Sequence, residues 1–415
     1  MSEFGRHITA WLVLLMAAWA ASACSATAES ESAPARNKVV MTGLDILVKD
    51  EFAQFAGLRV GAVTNHTGVD SRGRPLYRLL SAEPDVELAA VFAPEHGLEG
   101  VLEGEYESAK AGGSGLTVHS LYGLERKPRR EWLDGLDALV FDIQDIGTRF
   151  YTYISTMALC MQAAAENGIT FYVLDRPNPV GGLSVEGPVL EESLRGDFIA
   201  YYPIPVRHGM TVGELARLFN DEFGIGADLH VVRMDGWRRG MYYDRTGLAW
   251  IDPSPNMRSL SAAILYPGLG ISEATNLSVG RGTDIPFELY GAPYVDGVAL
   301  AARLNSAGLA GVSFRDTTFT PESHVFPGRA CGGVRAVLTD REAFNSVEAG
   351  LHLLNALERL YPDKFDLERI DRWIGRRDVK RQLEDGVPVE RIIAAWQDEL
   401  ERFKQTRAKY LIYPE

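Results

Sequence analysis

Leu139-Val-Phe-Asp-Ile-Gln-Asp-Ile-Gly-Thr-Arg-Phe-Tyr-Thr-Tyr153, followed by Thr170-Phe-Tyr-Val-Leu-Asp-Arg-Pro-Asn-Pro-Val-Gly-Gly182, decides how this chain folds. Two short apolar runs, 138–141 and 170–174, each stop at an aspartate, Asp142 and Asp175. Between them Ile154, Met157, Ala158, Met161, Ala164 and Ala165 recur at helical spacing, and Gly168 stands where a helix C-cap wants it. Strand, helix, strand over this length is the βαβ unit of a parallel sheet. Ligands of such sheets bind outside the carboxyl ends of the strands. The polar groups after Asp142 and Asp175 are therefore the first candidates for a site.

Working outward, the pattern repeats. Leu58 to Thr64 is an apolar run ending at Asn65-His66-Thr67-Gly68, and Val86 to Phe92 is another, ending at Ala93-Pro-Glu-His-Gly97. Leu76, Leu79 and Leu80 mark a helix, and Leu116 to Leu121 a further short strand. Parallel strands would bring Asn65/His66, Glu95/His96, Asp142/Gln144/Asp145 and Asp175/Arg176/Asn178 to one edge of the sheet. Downstream, Thr211-Val-Gly-Glu214 is a capping box, and Leu229 to Met234 reads as one more strand. Residues 250–295 are dense in Gly, Pro, Ser and Asn and read as ordered functional loops. Two late helices are expected, around 341–361 and 389–408. The expectation is an α/β chain: a Rossmann-like, mostly parallel sheet over 38–261 and a smaller α+β domain over 262–415.

With 415 residues, 46% of them hydrophobic, the chain can bury a large core. A formal charge of −14 argues against general binding to nucleic acid or anionic membranes, which needs a basic footprint. Arg6 and His7, an apolar run from Ile8 to Ala21, and Ser22-Ala23-Cys24 read as a secretory signal, with 25–37 as a tether. Two processing routes fit: a lipoprotein box that would anchor a lipid on Cys24, and ordinary cleavage near Ala26 or Ala28. Either predicts an exported protein of the periplasm or cell envelope. Of the remaining cysteines, Cys160 reads as a packed small hydrophobe, its pairing with Cys331 is open, and no metal-type spacing exists.

Several constellations carry candidate chemistry. Glu95-His96 follows an apolar strand. It reads either as a solvated turn or as a partly shielded carboxyl suited to general acid work. Asp142, Gln144 and Asp145 share one loop with Arg149. The plain reading is a charge-compensated loop, the sharper one a pair of carboxylates that would help catalysis or, with His96 or His208, hold a metal. Two prolines stiffen the loop of Asp175, Arg176 and Asn178, either as a turn or as a binding wall. Glu186 and His208 follow as further candidates. Glu273, Asn276 and Arg281 form the densest late cluster, with Gly280 and Gly282 flanking Arg281. No Walker, dinucleotide-binding or nucleophile-elbow signature is present.

Phe92-Ala-Pro-Glu-His-Gly97, Ser120-Leu-Tyr-Gly123, Phe141-Asp-Ile-Gln-Asp145, Arg149-Phe-Tyr-Thr-Tyr153 and Leu174-Asp-Arg-Pro-Asn-Pro179 together resemble the bacterial exo-β-N-acetylmuramidases of the NamZ type. Arg207-His-Gly-Met-Thr211, Pro253-Ser-Pro-Asn256, Thr275-Asn276 and Gly280-Arg-Gly-Thr283 extend the likeness to almost the whole chain after the tether. The resemblance implies a Rossmann-like domain and a smaller one with the active site in the cleft between them. It also implies release of N-acetylmuramic acid from non-reducing ends of peptidoglycan fragments, with no required cofactor. Glu95 falls where the family has its proposed catalytic glutamate. Ile271-Ser-Glu273 departs from the more aromatic entry to Glu273 that the resemblance implies. Glycoside hydrolysis also needs a second group, for which Asp142, Asp145, Glu273 or the substrate's own acetamido oxygen are open. The lactyl carboxylate of muramic acid calls for an arginine fork, for which Arg149, Arg176 and Arg281 are candidates and Arg281 is favoured. Tyr151 and Tyr153 are candidates for stacking on the sugar. Two other classes remain: a non-catalytic binder of cell-wall fragments, and a metal-dependent hydrolase using Asp142, Asp145 and His208.

Overall fold

Continuous apolar runs become strands buried on both faces, as parallel sheets require. In the computed structural model, β1 (Arg59–Thr64), β2 (Glu87–Ala93), β4 (Thr117–Ser120), β5 (Ala138–Asp142), β6 (Thr170–Leu174) and β9 (Leu229–Val232) all run parallel. With β3 (Ala109–Lys110) antiparallel at one edge, the order is β3-β4-β2-β1-β5-β6-β9. The structure describes residues 39–102, 109–110 and 116–415, so the expected signal, Cys24 and the tether lie outside the described residues.

The sheet is covered on both sides, and β5 shows how its sequence arranges this. Ala138 and Val140 pack with Leu44 and Leu47 of α1 (Gly43–Lys49) and Leu76 and Leu80 of α2 (Leu76–Ala82). Leu139 and Phe141 point the other way, into the cluster that holds α4 (Tyr153–Asn167) and α5 (Val212–Glu222); α3 is the short Arg130–Leu133. Helix α4 ends as expected, with Gly168 left-handed at φ 66°. The α5 capping box also forms, Thr211 accepting from the Glu214 N–H and Glu214 from the Thr211 N–H.

The second part is an antiparallel sheet ordered β10-β12-β11, made of β10 (Leu289–Ala292), β11 (Val312–Phe319) and β12 (Cys331–Leu338). Helix α7 (Gly297–Ser306) packs on it, α8 (Ser346–Leu360) packs on α7, and α6 (Leu260–Leu269) packs on α8. Helix α6 meets α8 so closely that a Cβ on Gly268 would lie 1.7 Å from the Ser346 carbonyl oxygen. Only glycine allows that approach.

Three elements differ from expectation. A small antiparallel pair, β7 (Glu186–Val189) with β8 (Pro205–Arg207), occupies a stretch to which the sequence reading assigned no strand. The helix expected around 341–361 starts only at Ser346, capped by Asn345. The final helix breaks into Val389–Ala394 and Gln397–Ala408, with Trp396 buried at the break. Among the described residues no helix is long and apolar enough to cross a membrane.

Candidate active site

Strands β2 and β4 pair through Ala93 and Ser120, so the loops leaving their carboxyl ends run side by side. With the segment after β5 they form the floor of a cavity of about 310 Å³. Glu95 and His96 come from the first loop, Tyr122 and Arg126 from the second, and Phe150, Tyr151, Thr152 and Tyr153 from the third. The second part of the chain supplies Tyr266, Glu273, Arg281, Phe287, His324 and Trp373. The cavity is therefore built from both parts.

Glu95 is held at one oxygen. The Thr152 hydroxyl donates to Oε2 at 2.6 Å, while Oε1 lies 4.0 Å from Nε2 of His96. His96 Nδ1 sits 2.8 Å from the Leu102 carbonyl, which can only accept, so the neutral ring carries its proton there. Nε2 is then the ring atom turned toward Glu95. His96 adopts a left-handed backbone at φ 71°, as do Phe287 at 62° and His324 at 67°, and all three line the cavity. Such conformations cost of order 1–3 kcal/mol each and gather where a surrounding site imposes them.

Glu273 is held at both oxygens. Tyr266 donates its hydroxyl to Oε2 at 2.9 Å, and Arg281 grips Oε1 through Nε at 2.7 Å and Nη2 at 2.5 Å. A carboxylate whose two oxygens are engaged by a guanidinium and a phenol makes a poor nucleophile. Asp197, also at the cavity wall, pairs with Arg372 at 2.7 Å. Glu95 is thus the cavity carboxyl that no arginine or lysine engages among the described residues.

The whole of this architecture has relatives. Models of the exo-β-N-acetylmuramidase NamZ N-terminal and C-terminal domains match residues 60–261 and 264–413. The chain is 45% identical to the peptidoglycan β-N-acetylmuramidase NamZ of Bacillus subtilis over 98% of its own length and 100% of the relative's. The chain belongs to the NamZ family. Two crystal structures of DUF1343 family proteins from Bacteroides fragilis superpose at TM-scores of 0.85 and 0.76, with 38% and 31% identity. They cover 90% and 91% of this chain and 99% and 100% of their own.

Within this NamZ-family cavity stand Glu95, His96, Tyr151, Tyr153, Glu273 and Arg281 of the residues proposed from sequence. The others serve the frame. Asp142 is fully buried under Arg176, which bonds both its oxygens at 2.5 and 2.9 Å, so neither residue faces the cavity. Asn65 accepts from Thr67, and Gln144 donates to the carbonyls of Asp145 and Pro177. Asp175 accepts from the hydroxyls of Thr211 and Tyr413 and the Gly213 N–H, tying the chain's last residues to the sheet edge. Asn178 bonds Met210 and Val180, and Glu186 pairs with buried Arg207 while capping α8 through the Ser346 N–H. Asn276 braces Lys364, Tyr294 and Asp366. Arg149 is buried and donates to the carbonyls of Ile204, Arg372 and Trp373; burial alone lowers its pKa to about 9. It props the Trp373 wall from behind and touches no substrate space. For the metal reading, the described residues hold no group of three His, Cys, Asp or Glu placed as ligands.

Sequence reading missed Arg126, Asp197, Phe198, Tyr266 and Trp373, all of which line the cavity. Arg126 had a usable signal, since it follows a strand whose carboxyl end belongs to the same sheet edge. Trp373, far along the chain, had none.

Behind Tyr151, Asp145 accepts from the Gly147 N–H at 2.7 Å, and His208 stands 3.9 Å away, too far for a hydrogen bond. Burial raises the Asp145 carboxyl to about 7 and lowers the His208 imidazole to about 3. For Asp145 the folded pKa exceeds the unfolded one, so its stabilising contribution is complete below about 4 and fades as pH climbs through about 7. Asp145→Asn cannot ionise. Its melting temperature relative to the parent is therefore expected to rise between pH 5 and pH 8, on the order of 1–3 kcal/mol in stability. A difference that stays flat with pH would remove Asp145 from this account. His208, pushed down to about 3 by burial, stays neutral over this range, and titrating groups remote from Asp145 are common to both proteins and cancel.

Proposed function

We propose that the protein is an exo-acting glycoside hydrolase that releases N-acetylmuramic acid from the non-reducing ends of peptidoglycan fragments. Glu95, singly hydrogen-bonded at the floor of a cavity in a chain related throughout its length to a peptidoglycan β-N-acetylmuramidase, carries this reading. At about 310 Å³ the cavity lies at the small end of ligand sites, which suits a single terminal sugar. An adjoining cavity of about 370 Å³ shares Asp197, Ile199 and Trp373 with it and offers the leaving saccharide a bed.

In this reading the Glu95 carboxyl gives its proton to the glycosidic oxygen as the bond to C1 breaks and its electron pair leaves with that oxygen. The resulting Glu95 carboxylate then takes a proton from the incoming water. Glu273, balanced by Arg281 and Tyr266, supplies a fixed negative charge near the oxocarbenium-like centre without attacking it. The acetamido oxygen of the substrate is left as the group that bonds to C1 as the leaving oxygen departs; the water deprotonated by Glu95 then bonds to C1 while the acetamido oxygen takes back the electron pair of its own bond, as in substrate-assisted hydrolases. The tyrosines of the cavity contribute apolar faces for the sugar ring.

Purified protein is expected to release the chromophore from a chromogenic β-N-acetylmuramide well above the rate with the matching β-N-acetylglucosaminide. Turnover of the glucosaminide alone would end the substrate assignment, and tight binding with no turnover would favour a catalytically silent binder. The N-terminal stretch supports export, with Cys24 as the lipid-bearing residue. Loss of the mature protein from the membrane fraction on Cys24→Ser would bear this out, and unchanged partition would refute it.

A further inference from the structure

We infer that Arg126 reads the lactyl carboxylate of the muramic acid residue; the inference rests on the muramidase reading above. Three arginines were candidates for that fork, and the structure commits each elsewhere. Arg149 donates to backbone carbonyls, Arg176 is consumed by Asp142, and Arg281 by Glu273. Arg126 is different. It lines the same cavity as Glu95, and no carboxylate pairs with it among the described residues.

Its surroundings keep it available. The guanidinium carbon lies 4.7 Å from the centre of the Phe198 ring, and Tyr122 packs against that ring at 6.2 Å. A guanidinium resting on an aromatic face is steadied through its plane, while its N–H donors lie in the plane and remain free for a two-pronged bond to a carboxylate. Among the described residues, the neighbouring Glu125 and the cavity's Asp197 are already engaged. Glu125 pairs with Arg129, and Asp197 with Arg372. The wall around Arg126 therefore does not repel an incoming anion. Pairing of β2 with β4 sets its loop beside that of Glu95, so one sugar can meet the proton donor at one point and Arg126 at another.

Steady-state kinetics on two chromogenic β-N-acetylmuramides, one with the free lactyl carboxylate and one with it capped as the methyl amide, test the inference. Arg126→Gln is expected to lower kcat/KM on the free acid by ~10–100-fold, mainly through KM, and to change the amide by less than about threefold. Arg126→Lys should restore part of the loss on the free acid. Equal losses on both substrates, or no loss on the free acid, would overturn the assignment. Wild-type protein that turns over neither muramide would instead remove the muramidase reading, and this inference with it. Melting temperature, measured for each variant, keeps misfolding apart from lost recognition.

Discussion

Replacing Glu95 with Gln is expected to lower kcat on a β-N-acetylmuramide by at least ~10²-fold, the usual scale for losing a general acid. Gln keeps the size of the side chain and can still accept from the Thr152 hydroxyl, so the site should stay in place. What disappears is the transferable proton. The size of the loss should follow the leaving group. A nitrophenolate departs with little protonic help, whereas a sugar hydroxyl needs it, so the defect should deepen from the chromogenic substrate to a disaccharide. Near-normal turnover of the disaccharide by the variant would take Glu95 out of the chemistry.

Asp142→Asn should do the reverse: large harm to stability and little to turnover. Arg176 is buried at 4% exposure, and Asp142 at 0% supplies its counter-charge. Removing one partner of a buried, bidentate pair leaves the other charge uncompensated, at a cost of ~3–5 kcal/mol. Denaturant titration should show that drop, with kcat per folded molecule staying within a few-fold of the parent at low temperature. An unchanged midpoint combined with lost turnover would return Asp142 to the catalytic group.

These two carboxylates also show which parts of the site could be read in advance. Both follow apolar strands and both end in polar company, so a one-dimensional view gives them equal standing. The difference lies in partners from elsewhere in the chain: Arg176 for Asp142, Thr152 for Glu95. Strand ends concentrate polar groups for two reasons, to meet ligands and to satisfy one another when buried, and the second claims most of them here. Strands were legible because parallel, doubly covered strands read as unbroken apolar runs. Helix termini were legible where local chemistry marks them, at Gly168 and Thr211. The break at Trp396 was not, because Ile392, Trp396 and Leu400 keep helical spacing across it while the backbone turns. Nor was the Trp373 wall, which Arg149 fixes from more than two hundred residues away.

The C-terminal segment has a wider consequence. Tyr413 bonds Asp175, Ile412 donates to Glu214, and Arg407 reaches the carbonyls of Gly182 and Gly209. One continuous apolar cluster runs from Phe92 and Phe141 through to Trp396 and Tyr410. A gene cut between the two family-model segments would therefore yield a Rossmann-like half with an uncovered oily face and an unclosed sheet edge. For recombination, fusion or truncation, the inheritable module is the pair, and a tag fused directly after Tyr413 would crowd the contacts that lock the chain shut.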